Sequence, residues 1–333
     1  MGRLVTVVLI TWNSASYLRR CLDGIAAQSV DLELIHVDNA SADDSARRVR
    51  ERFPQARQII NHENLGFAAA ANQAIRIARG DFVALVNPDA FLTAAYLSRI
   101  IEAFDRAGES FGAATGKLLR GRGYDIEPTE EVDSMGIRMT RSGRHLDMDR
   151  LPVASYRLPE ASSGNREPGT GNFEVFGVSG AGAVFRKSYI IDVTINDEFF
   201  DEDFFAFRED ADVAWRGRLF GWRAMVVPEA VAYHVRSVTP ERRRSLSPII
   251  NMHSVKNRFL LRLKNEGAYL AIRNAPFALT RDLVVIAAAL TIERSSLPAF
   301  GWLWRNRRRI LEKRRAIQKR RRISDWHLAR WFR

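Results

Sequence analysis

Cysteine is almost absent from this sequence of 333 residues, which contains only Cys21. A single cysteine excludes an intramolecular disulfide and the structural zinc sites that need several cysteines. It is compatible with a reducing compartment. Stability must therefore come from a packed core, and a hydrophobic content of 46% is sufficient for one. We expect one catalytic domain of roughly 250 residues and a C-terminal extension.

Long hydrophobic runs are also missing. The apolar run at residues 4–10 is too short for a signal peptide. Residues 277–292 are apolar, but Arg281 and Asp282 interrupt them, and they fall short of the roughly 20 apolar residues that span a bilayer. We therefore expect a cytoplasmic protein without a membrane-spanning helix.

Charge is almost balanced over most of the chain. The first 300 residues contain 38 Lys/Arg and 37 Asp/Glu, whereas residues 301–333, the basic tail, contain 13 and two. The net charge of +12 therefore resides almost wholly in the tail. A basic segment of this kind indicates an anionic partner, either a membrane surface or a nucleic acid.

The basic tail has the pattern of an amphipathic helix. Leu303, Ile310 and Ile317 recur every seven residues, with Trp304 and Leu311 beside them, between arginine-rich flanks. Tryptophans border the arginine run instead of alternating with it, which favours a membrane interface over stacking on nucleic acid bases. We expect the tail to hold the protein on the inner face of the cytoplasmic membrane, with a solvated basic helix as the alternative.

The first third of the chain alternates apolar β-branched runs with helical patterns. The order β-α-β-α-β-α-β predicts a parallel sheet with right-handed crossovers, in which ligands bind at the carboxyl ends of the strands. The predicted strands are "VTVVLI", "LELIHVD", "ARQIIN" and "DFVALVN". The polar or turn-forming residues at their carboxyl ends include Thr11, Asn13, Asp38, Asn64, Gly66, Asn87 and Asp89.

Several of these residues have two interpretations. Asp89 is either an Asx turn that caps the next helix or a ligand for Mg²⁺ or Mn²⁺ on a diphosphate. Asp38 is either a turn carboxylate or an acceptor for a base or ribose. Gly66 opens an alanine-rich helix, and is either part of a simple turn or an anion site. His234 ends an apolar alternation, and is either structural or a metal ligand that converges with Asp89.

The stretch "DEDFFAFREDADVAWR", residues 201–216, places three acids, Glu209, Asp210 and Asp212, directly behind three phenylalanines. Acids favour the first turn of a helix because they complement its dipole, and the apolar spacing that follows predicts a helix from about Asp210. The same acids beside an aromatic wall also suit a general base in a partly desolvated cleft.

The second half of the chain is less regular. Residues 117–175 predict irregular strands and loops, and the small residues of "VFGVSGAGAVFRK" allow the close approach of a ligand or another backbone. "WRAMVVPEAVAYHV" predicts two short strands, and residues 250–266 a basic amphipathic helix. We expect a nucleotide-binding half at 1–116, an acceptor and catalytic half at 117–248, and a helical basic extension at 249–333.

Five motifs in order resemble the family 2 glycosyltransferases, and in particular their bacterial rhamnosyltransferase-like branch. The resemblance covers most of the chain, including "EDFFAFREDADVAWRGRLFGWR" and "KNRFLLRLKN". The ordered motifs are residues 7–13, 37–41, 64–67, 87–89 and 209–210.

The resemblance implies an α/β fold of the glycosyltransferase A type, with a Rossmann-like nucleotide-binding half and an acceptor lobe. It implies that Asp210 is the catalytic base, with Glu209 orienting it or the acceptor. It implies metal ligation by Asp89 and His234. It also assigns the nucleotide-diphosphate sugar to a set of donor-binding residues, Thr11, Asn13, Asp38, Asn64, Gly66, Phe67 and Asn87.

One departure from the family pattern concerns the metal motif, because Asn87 stands where many members have a first acid. The function implied is inverting, metal-dependent transfer of a sugar, such as rhamnose from a dTDP donor, to a glycan or lipid-linked acceptor of the bacterial surface. The alternatives are a sugar nucleotidyltransferase, although "TWNSASYLRR" lacks the Gly-rich basic loop of that class, and a nucleic-acid-binding protein that uses the basic tail.

Overall fold

A computed structural model describes residues 3–148, 171–236 and 248–333 of the chain. The N-terminal third alternates strands and helices, as the sequence predicts. Its elements are β1 (Val5–Thr11), α1 (Ala15–Ala26), β2 (Leu32–Asp38), α2 (Ser45–Arg52), β3 (Arg57–Ile60), α3 (Gly66–Ile77), β4 (Phe82–Val86), β5 (Ala90–Leu92) and α4 (Tyr96–Ala107).

Four of these strands form the parallel part of the sheet, in the order β3-β2-β1-β4. Strand β4 is buried along its whole length, because helices cover both faces of the sheet and leave no face for polar side chains. The carboxyl ends of the four strands lie at one edge, where the loops that follow them meet.

The middle of the chain widens this sheet to ten strands. Strand β11 runs antiparallel between β4 and β6, and β12 runs parallel to β6. Part of the region predicted as irregular, residues 149–170, lies outside the described residues. The elements are β6 (Phe111–Arg122), β7 (Glu127–Ser134), β8 (Ile137–Met139), β9 (His145–Asp147), β10 (Phe173–Val175), β11 (Val184–Arg186), α5 (Lys187–Val193), α6 (Glu209–Leu219) and β12 (Arg223–His234).

The prediction of two short strands in "WRAMVVPEAVAYHV" is wrong, since β12 is one strand of 12 residues. Its register shifts between Val227 and Val231, around Pro228. Proline has no N–H to donate to the ladder, so the strand bulges there instead of ending. The small residues before β11 do allow close packing, because a Cβ on Gly177 would lie 2.2 Å from the Cβ of Ala214 in α6.

The C-terminal extension is helical, as predicted, and packs on the rest of the molecule. Its helices are α7 (Pro248–Asn265), α8 (Ala268–Thr291), α9 (Pro298–Arg305), α10 (Arg307–Arg320) and α11 (Asp325–Leu328). Helix α8 begins well before the apolar segment 277–292, and its 24 residues are long and apolar enough to cross a membrane by length and composition. The expectation that this segment is too short therefore does not hold.

The apolar stripe predicted for the basic tail faces the protein and not a membrane. Ile310 and Ile317 are buried in the main core cluster, and Leu303 packs against it, whereas Trp304 and Leu311 remain exposed. A seven-residue apolar repeat shows only that one face of a helix is apolar, and here α7 and its neighbours cover that face.

Lys313 of α10 joins the basic tail to the rest of the protein through buried ion pairs. Its Nζ lies 2.6 Å from Asp201 Oδ1, 2.8 Å from Glu198 Oε2 and 3.1 Å from Asp203 Oδ2, which together form the carboxylate cluster. Lys264 of α7 forms a second ion pair with Asp201. Burial would raise the pKa of Asp201, but the charges of Lys264 and Lys313 hold it well below its usual value.

We predict that Lys313→Met destabilises the protein by about 3–5 kcal/mol, because removal of one partner leaves buried charge uncompensated. The control is Arg315→Met on the exposed face of the same helix. Chemical denaturation measures both, and equal stability of the two variants would contradict this account. Because Lys313 belongs to the basic tail, removal of the tail should also destabilise the rest of the protein.

Candidate active site

The loops after β1 and β2 meet at the carboxyl edge of the sheet. Thr11 is fully buried, and its hydroxyl donates to Asp38 Oδ2 at 2.8 Å. The other oxygen of Asp38 accepts from Ser41 N at 2.9 Å. Asp38 therefore fixes the turn and Thr11 braces it, and contact of either residue with a donor stays a prediction.

Asn13 joins the same two loops at the surface. Its Oδ1 accepts from Ala42 N at 2.8 Å, and its own N–H donates to Ser41 Oγ at 3.0 Å. The backbone of Asn13 is left-handed, with φ of 51°, a conformation that asparagine tolerates better than most residues. Beside it the indole of Trp12 is largely exposed and offers a flat surface at the strand edge.

The loop before α3 packs on the loop that precedes α6. Asn64 Oδ1 accepts from Gly66 N at 2.9 Å and from Asn39 Nδ2 at 2.8 Å. Gly66 has φ of 82°, and a Cβ there would lie 2.5 Å from the ring of Phe205. The Phe205 carbonyl accepts from Ala68 N at 3.1 Å. This glycine is thus needed for contact with the chain itself, and two N–H groups at this helix N-terminus, those of Gly66 and Ala68, are paired within the protein. Contact of Gly66 or Asn64 with a donor stays a prediction.

Phe67 and Asn87, the two remaining residues of the predicted donor site, are both half-buried. Phe67 packs edge-on against Phe200 at 5.8 Å, so it supports the core below the loop. Asn87 ends β4, where its carbonyl accepts from Ala90 N at 3.0 Å and so shapes the turn that carries Asp89. Direct contact of either side chain with a donor stays a prediction.

Asp89 and His234 converge, as the metal-ligand interpretation requires. Asp89 precedes strand β5 and not a helix, so the helix-cap interpretation is wrong. Strand β5 pairs with β12, with Ala90 opposite His234, and His234 Nε2 lies 3.4 Å from Asp89 Oδ1. On its other side, His234 Nδ1 lies 2.8 Å from the buried Asp133.

The two carboxylates change the protonation of this histidine. Burial would lower the pKa of His234, but hydrogen bonding to Asp133 and Asp89 raises it to about 9. Burial would likewise raise the pKa of Asp133, but His234 and Arg236 lower it. Asp89 and His234 therefore form a compact charged pair at the edge of the sheet.

Arg236 extends this pair into a charged network. Its Nε lies 2.9 Å from Asp133 Oδ1, and its Nη2 lies 2.7 Å from Asp147 Oδ2. The charge of Asp147 in turn acts on Asp210. The network therefore leads from Asp89 through His234, Asp133, Arg236 and Asp147 toward Asp210.

Asp210 lies in the first turn of α6 and is half-buried. Desolvation by the surrounding protein, together with the charge of Asp147, raises its pKa to about 6. Its Oδ1 accepts from Ala211 N at 2.7 Å. A carboxylate with this pKa is ionised at neutral pH, yet it accepts a proton more readily than an ordinary aspartate.

Glu209, the preceding residue, is almost fully buried. Burial and the charge of Asp210 raise its pKa to about 8, so Glu209 is mostly protonated at neutral pH. Among the described residues, its Oε2 has no hydrogen-bond partner. A neutral carboxylic acid beside a carboxylate suits a positioning role and not that of the base.

Asp212 differs from these two acids. It is fully buried, and it binds Arg216 Nε at 2.9 Å, Lys264 Nζ at 3.0 Å and Asn265 Nδ2 at 2.7 Å. Asp212 is therefore structural. The three phenylalanines that precede these acids also differ in burial. Phe204 belongs to the core, whereas Phe205 and Phe207 lie nearer the surface.

Residues 205–208, the hinge loop, approach α6 in a strained conformation. Phe205, Phe207 and Arg208 have φ of 66°, 69° and 74°. Bulky residues adopt this region only where their surroundings enforce it. The buried amide nitrogen of Asn257 lies 2.8–2.9 Å from the carbonyl oxygens of Phe204, Ala206 and Phe207. Helix α7 thus holds the loop that aims Asp210.

Four residues of the site cannot be predicted from the sequence patterns: Asp133, Asp147, Arg236 and Asn257. Asp133 and Asp147 fall in a stretch predicted as irregular, and Arg236 directly follows a predicted strand. Asn257 lies in "KNRFLLRLKN", where the sequence pattern predicts only a basic amphipathic helix. The burial of Asn257 and Asn265, which indicates a structural contact, is visible only in the structure.

The fold is an α/β protein in which the carboxyl ends of parallel strands meet at one edge of the sheet, with Glu209 and Asp210 in the first turn of α6. Residues 6–193, more than half of the chain, match the family model for glycosyl transferase family 2. The chain belongs to this family, and the resemblance that its motifs indicated is confirmed.

One curated relative aligns over most of the chain. The N-acetylglucosaminyl-diphospho-decaprenol L-rhamnosyltransferase of Mycobacterium tuberculosis is 25% identical over 252 residues, which is 70% of this chain and 76% of that protein. This similarity is in accord with the rhamnosyltransferase-like branch. Several other relatives match this chain over only 13–33% of their own length.

Solved structures confirm the predicted glycosyltransferase A fold. Mannosyltransferase PcManGT from Pyrobaculum calidifontis, in complex with GDP-Man and Mn²⁺, has a TM-score of 0.52 at 21% identity and covers 96% of this chain and 84% of its own. S. aureus TarS 1–349, in complex with UDP-GlcNAc, has a TM-score of 0.53 at 15% identity and covers 99% and 93%. At these identities the likeness concerns the fold alone.

We predict that Glu209→Gln changes how stability depends on pH. The native state holds a proton on Glu209 that the unfolded chain releases near its ordinary pKa of 4.5, so this stability is complete below that pH and is lost as the pH rises through about 8. The glutamine variant should therefore gain several kcal/mol, up to about 5 kcal/mol, over the wild type at pH 9 relative to pH 4.

Denaturation midpoints at the two pH values measure this difference. Asp212→Asn is the matched comparison, because its charge balances Arg216 and Lys264, and it should lose stability at neutral pH. A stability gain of Glu209→Gln that does not change between pH 4 and pH 9 would contradict the buried, protonated state of Glu209.

Proposed function

We propose that this protein is an inverting glycosyltransferase that moves a sugar from a nucleotide-diphosphate donor to an acceptor hydroxyl. One observation carries the proposal. The network from Asp89 through His234 and Arg236 joins a candidate cation site for a diphosphate to Asp210, a half-buried carboxylate with a raised pKa. A sugar transferase needs both elements in one cleft.

The chemistry follows from these residues. An acceptor hydroxyl is a poor nucleophile at neutral pH, so its attack on the anomeric carbon requires a base near its proton. Asp210 takes that proton, while the nucleoside diphosphate leaves with the electron pair of the broken carbon–oxygen bond. Glu209, neutral and buried, orients Asp210 or the acceptor. Phe205 and Phe207 limit the access of water, which would otherwise hydrolyse the donor.

The site suits a divalent cation held partly by the substrate. In the described residues no group of three His, Cys, Asp or Glu side chains is placed to hold a metal. Asp89 and His234 would supply two ligands, His234 through Nε2 once the cation displaces the proton that it shares with Asp89. Asp133, at Nδ1 of His234, is the kind of carboxylate partner that orients metal-binding histidines in proteins. Mg²⁺ and Mn²⁺ accept few protein ligands when phosphates complete the shell, and the cation would neutralise charge on the leaving diphosphate.

The donor and acceptor are proposed from relatives. The solved neighbours hold GDP-Man with Mn²⁺ and UDP-GlcNAc, which supports a nucleotide sugar and a divalent cation. The name of the mycobacterial relative supports L-rhamnose as the sugar and a lipid-linked acceptor. A dTDP donor and a role in cell-surface polysaccharide synthesis are parts of the proposal. The inner face of the cytoplasmic membrane, where such an acceptor would be reached, is the location we propose.

The alternative functions have less support. A sugar nucleotidyltransferase would attack a phosphate and has no need of a base at Asp210. Nucleic acid binding rested on the basic tail, but Lys313 and the apolar stripe of the tail are bound within the protein.

We predict that Asp210→Asn lowers transfer by about 10²–10⁴ while donor binding is retained, because it removes the base and keeps the shape. Nucleotide release from a panel of nucleotide sugars identifies the donor, and the same assay compares the variants. In the wild type, the rate should rise with pH through about 6, as Asp210 ionises. Asp197→Asn, at an exposed position, is the control. Undiminished turnover of Asp210→Asn would reject the assignment.

We also predict a requirement for a divalent cation. Asp89→Ala should lose most activity and weaken Mn²⁺ binding in the presence of the nucleoside diphosphate, because it removes the one carboxylate of the proposed ligand pair. His234→Ala should act in the same direction but less strongly. Calorimetry and the transfer assay measure both effects, with exposed Glu229→Ala as control. Full activity in excess chelator would contradict the prediction.

A further inference from the structure

Helix α8 exposes an apolar stripe where an amphipathic helix normally faces the core. Four large side chains on one face, Ile272, Leu279, Leu283 and Leu290, are 77%, 59%, 68% and 56% exposed. They follow each other at intervals of seven, four and seven residues, which is the spacing of one helix face. We call these four residues the α8 stripe. An exposed apolar face of this length marks an interaction surface.

The opposite side of α8 is fastened to the rest of the protein. Asp282 lies 2.8 Å from Arg258 and 2.6 Å from Arg262, both on α7. Arg141 donates to the carbonyl of Arg273 at 3.0 Å and lies over the ring of Phe277. A helix that crossed a bilayer would have to break these contacts and bury their charges in lipid. Helix α8 therefore lies along the protein surface, although its length and composition would permit a span.

The residues after α8 indicate the chemistry of the partner. Ile292 is exposed, Trp304 is 68% exposed, and Arg294, Arg305 and Arg307 are exposed beside them in sequence. The guanidinium of Arg307 lies 4.4 Å from the centre of the Trp304 ring. Apolar side chains bordered by tryptophan and arginine are typical of helices that lie in the interface of an anionic membrane.

A second copy of the chain fits this surface less well. A symmetric dimer pairs the same patch on both subunits. The exposed arginines of one subunit would then meet those of the other, and like charges brought together oppose association. A lipid surface with anionic headgroups instead complements them.

We propose that the α8 stripe and the arginines that follow it bind the surface of an anionic bilayer, with α8 lying in the interface. The proposal moves the membrane contact from the basic tail, whose stripe is buried, to α8. It rests on the proposed function only in that a lipid-linked acceptor gives the contact a purpose.

The test is co-sedimentation of the full chain with phosphatidylcholine vesicles, with and without phosphatidylglycerol. Leu279→Ser/Leu283→Ser should lower the partition coefficient for the anionic vesicles at least about tenfold, because two exposed apolar side chains are lost. Arg305→Gln/Arg307→Gln should lower it by about tenfold, and added salt should weaken binding of the wild type. Ile191→Ser, which removes an exposed side chain on α5, should leave binding unchanged.

Vesicle binding is measured without a sugar nucleotide. Its result therefore tests the membrane contact alone, whereas transfer to a water-soluble acceptor tests the proposed function. Wild-type-like binding of the Leu279→Ser/Leu283→Ser variant would overturn the proposal. A dimer in analytical ultracentrifugation that the same substitutions abolish would also overturn it, because a second copy would then cover the stripe.

Discussion

The buried carboxylate of Asp212 is the constraint on which the active-site half depends. It lies two residues after the base on α6 and is held by Arg216 of the same helix and by Lys264 and Asn265 of α7. A buried charge without partners is costly, so α6 cannot form in this position unless α7 docks. Lys264 also reaches Asp201, where Lys313 of α10 meets it. The extension and the catalytic half are therefore one energetic unit.

The same packing of α7 on α6 also explains how Glu209 and Asp210 are positioned. Helix α7 supplies Asn257 to the hinge loop, whose left-handed residues lead into Glu209 and Asp210 at the start of α6. Strand β12 supplies His234, and the chain that follows supplies Arg236, to the charged network that leads toward Asp210. Burial raises the pKa of both Glu209 and Asp210. The charge of Asp210 adds to the rise for Glu209, and the charge of Asp147 adds to the rise for Asp210.

Much of the nucleotide-binding half could be predicted, because strand periodicity is local and parallel strands bring their carboxyl ends together. Strand β2 followed from such reasoning, whereas the approach of Asp89 to His234 was implied by the family resemblance. The roles of Asp133 and Asn257 could not, since their partners lie 50 to about 100 residues away and depend on packing. The repeat of Ile310 and Ile317 showed an apolar face but not what covers it. The predicted boundaries at 116 and 248 stay predictions.

The central claim is that Asp210 serves as a base in direct attack and not as a nucleophile. The anomeric configuration of the product, determined by proton NMR and compared with that of the donor, tests this most directly. A single displacement inverts the configuration, and our account predicts inversion. Retention would require a covalent sugar–enzyme intermediate on a carboxylate, and would contradict the account.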